Sequence, residues 1–111
     1  MAQTFNRFIS SAVGNTATSI GGYTVASGTA VVVGLLVSNP TGTGDINIDI
    51  TFSTGSGDVK LGNDITIPYG QSLIVIGWDQ KIVMKVGDSI KINTTGVGQT
   101  ADVILSVMEV S

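Results

Sequence analysis

The sequence has no histidine and no cysteine among its 111 residues. Histidine is the side chain that most often moves protons in enzymes, and a Ser–His or Cys–His nucleophilic mechanism cannot be built without it. The absence of cysteine also excludes disulfides and thiolate metal sites. The residue types on which catalysis and metal binding most often depend are therefore missing.

Charged residues are scarce: they make up 12% of the chain, whereas about 25% is typical of globular domains. The net charge is -3. The cations are scattered along the sequence: Arg7, Lys60, Lys81, Lys85 and Lys91. Because a nucleic-acid site needs several convergent Lys or Arg side chains, we expect no nucleic-acid partner.

Long apolar runs are also absent. The longest is Ala30–Val37, well short of the ~18 residues of a membrane-spanning helix. Yet 42% of the residues are apolar and the mean hydropathy is +0.43. The composition therefore predicts apolar surface that is buried against other protein, with no membrane partner. The opening MAQTFNRFISS lacks the pattern of a signal peptide, so we expect synthesis in a cytoplasm without export by that route.

The acidic residues give no recognisable site. Several lie in turn-forming stretches, where Asp side chains cap backbone amides: Asp58, Asp64, Asp79 and Asp88. Asp45–Asp49 opens like a calcium loop, but Ile50 and Ser56 stand where such a loop needs Gly and Glu. The stretch 96–101 matches a dinucleotide-binding pattern without the helix that must follow. We predict no catalytic residue, no cofactor, no metal and no enzyme activity.

Apolar and polar residues alternate with a period of two, which is typical of half-buried antiparallel strands. The pattern is organised around 67–93, where three short strands are separated by turns containing Gly, Pro or Asp. Asp45–Ser53 alternates most cleanly. In all, about eight strands follow one another at intervals of ~8–12 residues, without helical periodicity. The sequence predicts an all-β protein: one antiparallel β-sandwich or jelly-roll-like domain over residues 1–111.

Three segments leave alternatives open. Residues 1–13 form either an extended amino-terminal arm or the first strand. Residues 16–26 suggest a strand that is broken or bulged at Gly21 and Gly22. Residues 59–67 suggest two short apolar pieces around a tight turn at 62–64.

Two strands, Val31–Val37 and Val103–Val110, are apolar on both faces. A sandwich has one inner face in each sheet, and its outer face normally carries polar residues. Burial in a homo-oligomer is therefore favoured over central placement alone. Trp78 either anchors a contact between subunits or packs against its own sandwich. The same two alternatives, a neighbouring subunit or its own core, stay open for Phe5 and Phe8. The candidate interface residues are Phe5, Phe8, Trp78, Val31, Val33, Leu35, Ile104 and Met108.

The sequence resembles small virion structural proteins of tailed bacteriophages, especially those that infect cyanobacteria and other marine bacteria. The resemblance is carried by MAQTFNRFIS at the start, IPYGQSLIVIGWDQKIVMKVGDSIKI in the middle and ADVILSVMEVS at the end. It implies a non-enzymatic protein located in the virion. It also implies a homo-oligomer, expected to be a trimer, that contacts other virion proteins such as the major capsid protein.

Within that resemblance we expect a capsid decoration, or cement, protein that stabilises the head shell. The alternative is a structural module of the tail, neck or fibre. A carbohydrate-binding β-sandwich is the weaker hypothesis, because such modules usually present several aromatic side chains and this chain has one Trp and two Tyr.

Overall fold

Alternating apolar and polar residues produce strands along most of the chain. A computed structural model describes residues 3–40, 44–77, 81–96 and 98–110. In that part of the chain, no helix is long and apolar enough to cross a membrane. It contains one 3-10 turn, Ile20–Gly22, and nine strands: β1 (Gln3–Val13), β2 (Thr18–Ser19), β3 (Thr29–Ser38), β4 (Ile46–Thr54), β5 (Gly57–Ile67), β6 (Ser72–Ile76), β7 (Ile82–Met84), β8 (Ser89–Thr94) and β9 (Ala101–Val110).

The strands form two sheets in which every pairing is antiparallel. The larger sheet has the order β1-β9-β3-β6, and β7 also pairs with β3. Since β9 occupies one edge of β3, the short strands β6 and β7 share the other edge. The smaller sheet has the order β2-β8-β4-β5. The two sheets pack as a sandwich, which confirms the predicted all-β fold.

The core is aliphatic and lies between the sheets. β4 and β8 contribute isoleucines from the smaller sheet, and alternate residues of β3 and β9 contribute from the larger one. Each such side chain stabilises the fold by about 1.5–3 kcal/mol when it is fully buried. The largest fully buried side chains are Ile20, Leu35, Ile46, Ile48, Ile50, Ile67, Met84, Ile90, Ile92, Leu105, Val32 and Val37.

A β-bulge interrupts β3 in its middle. Val32 pairs with Val107 and Gly34 pairs with Ser106, so Val33 has no partner of its own on β9. An extra residue of this kind disrupts the ladder locally and bends the strand. It also moves every later side chain of the strand to the opposite face.

This change of face corrects one predicted interface residue. Strict alternation groups Leu35 with Val31 and Val33, on the outer face. In the structure Leu35 is 1% exposed and packs in the sandwich core, while Leu36 points outward. The prediction for Leu35 is wrong because the bulge at Val33 adds one residue between the two halves of β3.

Two other segments differ in detail from their predictions. Residues 62–64 do not form a tight turn, since β5 continues through them with shifts of register against β4, and Asp64 adopts a positive φ of 55°. The strand expected within 16–26 is reduced to Thr18–Ser19, after which the chain enters the 3-10 turn. At the amino terminus, Gln3–Val13 is a strand paired with β9 rather than an extended arm.

Candidate interaction surface

A row of aliphatic side chains crosses the outer face of the larger sheet. Residues directly opposite one another on antiparallel strands point to the same face. Pairing places Ile9 of β1 opposite Ile104 of β9, Ile104 opposite Leu36 of β3, and Leu36 opposite Ile74 of β6. These side chains are 50%, 41%, 36% and 57% exposed, respectively. Four strands therefore present one apolar band to solvent.

A second apolar row lies further along the same strands. Phe5 of β1 is opposite Met108 of β9, Met108 is opposite Val31 of β3, and Val31 is opposite Val83 of β7. Phe5 is 71% exposed and Val83 is 52% exposed, while the two central side chains are half-buried. The two rows and Val33 between them are called the apolar face below.

Between the two rows the surface is concave. Arg7 is paired with Ser106, which is opposite Gly34 at the bulge. A depression of about 620 Å³ lies beside Arg7 and Val33. A second one, of about 320 Å³, is lined largely by aliphatic side chains of the first row. The apolar face therefore has two depressions near the bulge into which side chains of another protein can fit.

The outer face of the smaller sheet is polar. Asp49 is opposite Asn93 there, and its carboxylate lies 3.8 Å from the ammonium group of Lys60. The hydroxyl of Thr66 donates a hydrogen bond of 2.8 Å to Asn47. The excess of apolar residues is therefore concentrated on the outside of one sheet.

The size of the apolar face is comparable with that of a protein interface. Its six most exposed side chains are about half exposed on average. A side chain of this size has ~200 Å² of surface, which gives on the order of 600 Å² for the six. A typical interface buries about 800 Å² on each partner. The largest apolar patch on a typical monomer covers ~300–600 Å² and is often functional, so this face stands at the upper end of that range.

The candidate interface residues divide into three groups. Phe5, Val31, Val33, Ile104 and Met108 lie on the apolar face. Phe8 and Leu35 instead pack against or within the core of their own sandwich. Trp78 lies outside the described residues, so its two alternatives stay as predicted.

Sequence reasoning missed four residues of the apolar face: Ile9, Leu36, Ile74 and Val83. A period of two along residues 4–13 puts Ile9 on the same face as Phe5, so the sequence does contain a signal for that residue. Leu36 depends on the bulge, and the pairing of Ile74 and Val83 with β3 depends on sheet order. Alternation within one strand gives neither the bulge nor the sheet order.

The described residues contain no cluster of three carboxylates placed to hold a metal ion. One acidic contact is nevertheless well defined: the Tyr23 hydroxyl donates a hydrogen bond of 3.2 Å to Oε2 of Glu109, and Nδ2 of Asn6 donates to Oε1. Burial, together with the negative charge and the hydrogen bond of Glu109, raises the pKa of Tyr23 to about 12. This contact joins strands within the sandwich and is separate from the apolar face.

No family model matches the chain, and no curated protein matches its sequence. The fold is similar to that of a protein of Bacillus endospore appendages, a family of disulfide-linked pili. The TM-score is 0.54 at 20% identity, over 97% of this chain and 86% of that one. A pentameric capsid protein isolated from metagenomic phage sequences gives a TM-score of 0.46 at 22% identity, over 94% of this chain and 61% of that one. At these identities the likeness concerns the fold alone.

Proposed function

We propose that this protein is a non-enzymatic structural subunit of a bacteriophage virion, and that it decorates and stabilises the capsid shell. The observation that carries the proposal is the apolar face, which the described part of the chain leaves open, while the outer face of the other sheet is polar. The virion assignment is supported by the sequence resemblance to small phage structural proteins. The likeness to the appendage protein adds only that such a fold also occurs in another assembled structure.

Self-association through the apolar face is the first part of the proposal. Burying the exposed halves of its six most exposed side chains contributes about 5–9 kcal/mol for each subunit, at ~1.5–3 kcal/mol for each side chain that is fully buried. Association costs ~4–15 kcal/mol in lost translational and rotational freedom. Most of the face must therefore be covered for a stable oligomer. Because the chain has no cysteine, such an oligomer would be held without disulfides, and its trimeric order rests on the resemblance alone.

Light scattering of the purified protein tests the self-association. We expect a mass that is a multiple of 11.3 kDa at micromolar concentration. Ile104→Lys should reduce that mass, because it places a charge in the middle of the first apolar row. Thr66→Lys is the matched control: it adds the same charge to the polar outer face and should leave the mass unchanged. A monomer mass for the unmodified protein would overturn the proposed self-association.

The position in the virion is tested separately, by counting copies of the chain in purified particles with quantitative mass spectrometry. Hundreds of copies are expected for a protein that decorates the shell. A few copies, up to some tens, would assign the chain to the tail, neck or fibre, which is the alternative.

A carbohydrate-binding role gains no support from the described aromatic side chains. Tyr23 is buried beneath Phe8, and Tyr69 lies in the turn before β6 with 56% of its surface exposed. A carbohydrate platform usually needs several exposed rings that lie side by side. Among the described residues the exposed aromatic side chains are Phe5, on β1, and Tyr69, in the turn before β6, so they do not share one strand.

A further inference from the structure

Each sheet has one long edge strand, β1 in the larger sheet and β5 in the smaller one, and the two differ in how easily another strand could pair with them. On β5, two register shifts, the positive φ of Asp64 and the exposed Lys60 all obstruct pairing with another strand. Natural proteins protect their sheet edges with such features. β1 has one register shift, between Ser10 and Val13, and a positive φ of 54° at Ala12, but both lie at the end of the strand: Gln3 to Ser10 pair with β9 in unbroken register, and Arg7 is the only charged residue of β1. β1 ends the sheet order, so its second edge faces no strand of the described chain.

The opposite edge of the same sheet has the direction needed to pair with β1. Because every neighbour is antiparallel, β1 and β3 run in one direction while β6 and β7 run in the other. A second copy that continues the sheet therefore brings its β1 antiparallel to β6 and β7. Antiparallel pairing of this kind supplies backbone hydrogen bonds to both edges.

The two apolar rows end at these edges in matching positions. The first row runs from Ile9 on β1 to Ile74 on β6, and the second from Phe5 on β1 to Val83 on β7. Continuing the sheet in register sets Ile9 of the next copy opposite Ile74, and Phe5 of the next copy opposite Val83. Each of these four side chains is at least half exposed in the single chain. Cross-strand apolar pairs of this type stabilise a sheet.

We propose that copies of this chain join edge to edge, with β1 of one copy added to β6 and β7 of the next. The inference rests on the proposed self-association and adds a contact to it: the edges bring the ends of the two rows together, while the middle of the apolar face is left to be covered by a further copy or by the shell. Pairing of β1 with a second β1 fits less well, since the register that aligns Phe5 with Ile9 also sets Arg7 against Arg7. Like charges directly opposite one another destabilise a strand pair. A head-to-tail contact of this kind produces a closed ring, such as a trimer, or an open filament.

Engineered cysteines test this contact directly, because the chain has none of its own. Within one copy, positions 9 and 74 are three strand spacings apart. This distance is ~14 Å between Cα atoms, too far for a disulfide, whose Cα atoms lie about 4.4–6.8 Å apart. Across the proposed contact the same positions are directly opposed. Both side chains are exposed, so neither substitution disturbs the core.

The experiment mixes equal amounts of Ile9→Cys and Ile74→Cys under mild oxidation, with the two variants distinguished by a mass tag. We expect a disulfide-linked pair that contains one copy of each variant to be the main covalent product. The control replaces Ile74→Cys with Thr66→Cys, an exposed position on the other sheet, and should give only traces of the mixed pair. The double variant Ile9→Cys/Ile74→Cys should give a covalent ring or ladder.

The outcomes separate this contact from self-association in general. If light scattering shows an oligomer but the mixed pair forms no more than with the control, the edge contact is wrong and the self-association stands. If pairs form mainly between two Ile9→Cys copies, β1 pairs with β1 and the head-to-tail arrangement is wrong. A monomer at every concentration overturns both proposals.

Discussion

Phe8 of β1 stacks on Tyr23, with the ring centroids 4.0 Å apart and the ring planes inclined by 17°. The Tyr23 hydroxyl in turn reaches Glu109 of β9. The segment after the 3-10 turn is thereby fixed against the inner side of two neighbouring strands. A ring that is 9% exposed and hydrogen-bonded to a carboxylate is poorly placed to lose its proton, because ionisation would set two negative charges side by side.

This contact predicts a loss of stability at high pH. The pKa of Tyr23 is about 12 in the folded protein and 10.0 for an unperturbed tyrosine, so the folded state holds the proton more tightly than the unfolded state. The resulting stabilisation is fully present below pH 10 and is lost as the pH rises towards 12. Across that window the free energy of unfolding should fall by up to ~1.4 kcal/mol per pH unit.

Tyr23→Phe is the control for this prediction, because it keeps the stacked ring and removes the ionisable hydroxyl. Urea denaturation of both proteins between pH 8 and pH 12 measures the difference. The wild-type curve should fall relative to the variant above pH 10, since other groups titrate in both. Parallel curves over the whole range would contradict a raised pKa for Tyr23.

The sandwich followed from the sequence because alternation and turn residues are local signals, and β4 shows both. The face of Leu35 did not follow, since a bulge at Val33 depends on how β3 meets β9. The order of the strands in each sheet also cannot be predicted from alternation within single strands. Sheet order is what aligns Ile74 with Ile9 across four strands and turns scattered apolar residues into one face.

The bulge and strict alternation give opposite predictions for Leu35 and Leu36: with the bulge, Leu35 is the buried residue of the two. Leu35→Ala should lower the free energy of unfolding by about 2–5 kcal/mol, because it leaves a cavity in the core. Leu36→Ala, its matched neighbour, removes the same atoms from a side chain that is 36% exposed and should cost much less in a monomer. Urea denaturation of both variants at equal concentration measures the pair. A larger loss for Leu36→Ala in conditions where the protein is monomeric would place the bulge elsewhere.

Substituting two adjacent glycines of the 3-10 turn distinguishes the cost of backbone strain from the cost of side-chain crowding. Both have a positive φ, +60° at Gly21 and +71° at Gly22. A Cβ added at Gly22 meets no atom within 4 Å, whereas one at Gly21 would lie 2.7 Å from Cβ of Phe8. Gly22→Ala should therefore cost only the ~1–2 kcal/mol of a left-handed conformation.

Gly21→Ala should cost clearly more than Gly22→Ala, because the turn must also move away from β1. That movement would weaken the 2.7 Å hydrogen bond from the Gly21 amide to Oγ of Ser10 and separate the rings of Phe8 and Tyr23. Urea denaturation gives the two costs, and ultraviolet titration of the tyrosines gives a second measure. Loosening the stack exposes the Tyr23 hydroxyl to water, so its pKa should fall back towards 10.0 in Gly21→Ala and stay near 12 in Gly22→Ala. Equal costs and equal titration curves for the two variants would show that β1 does not pack closely on this turn.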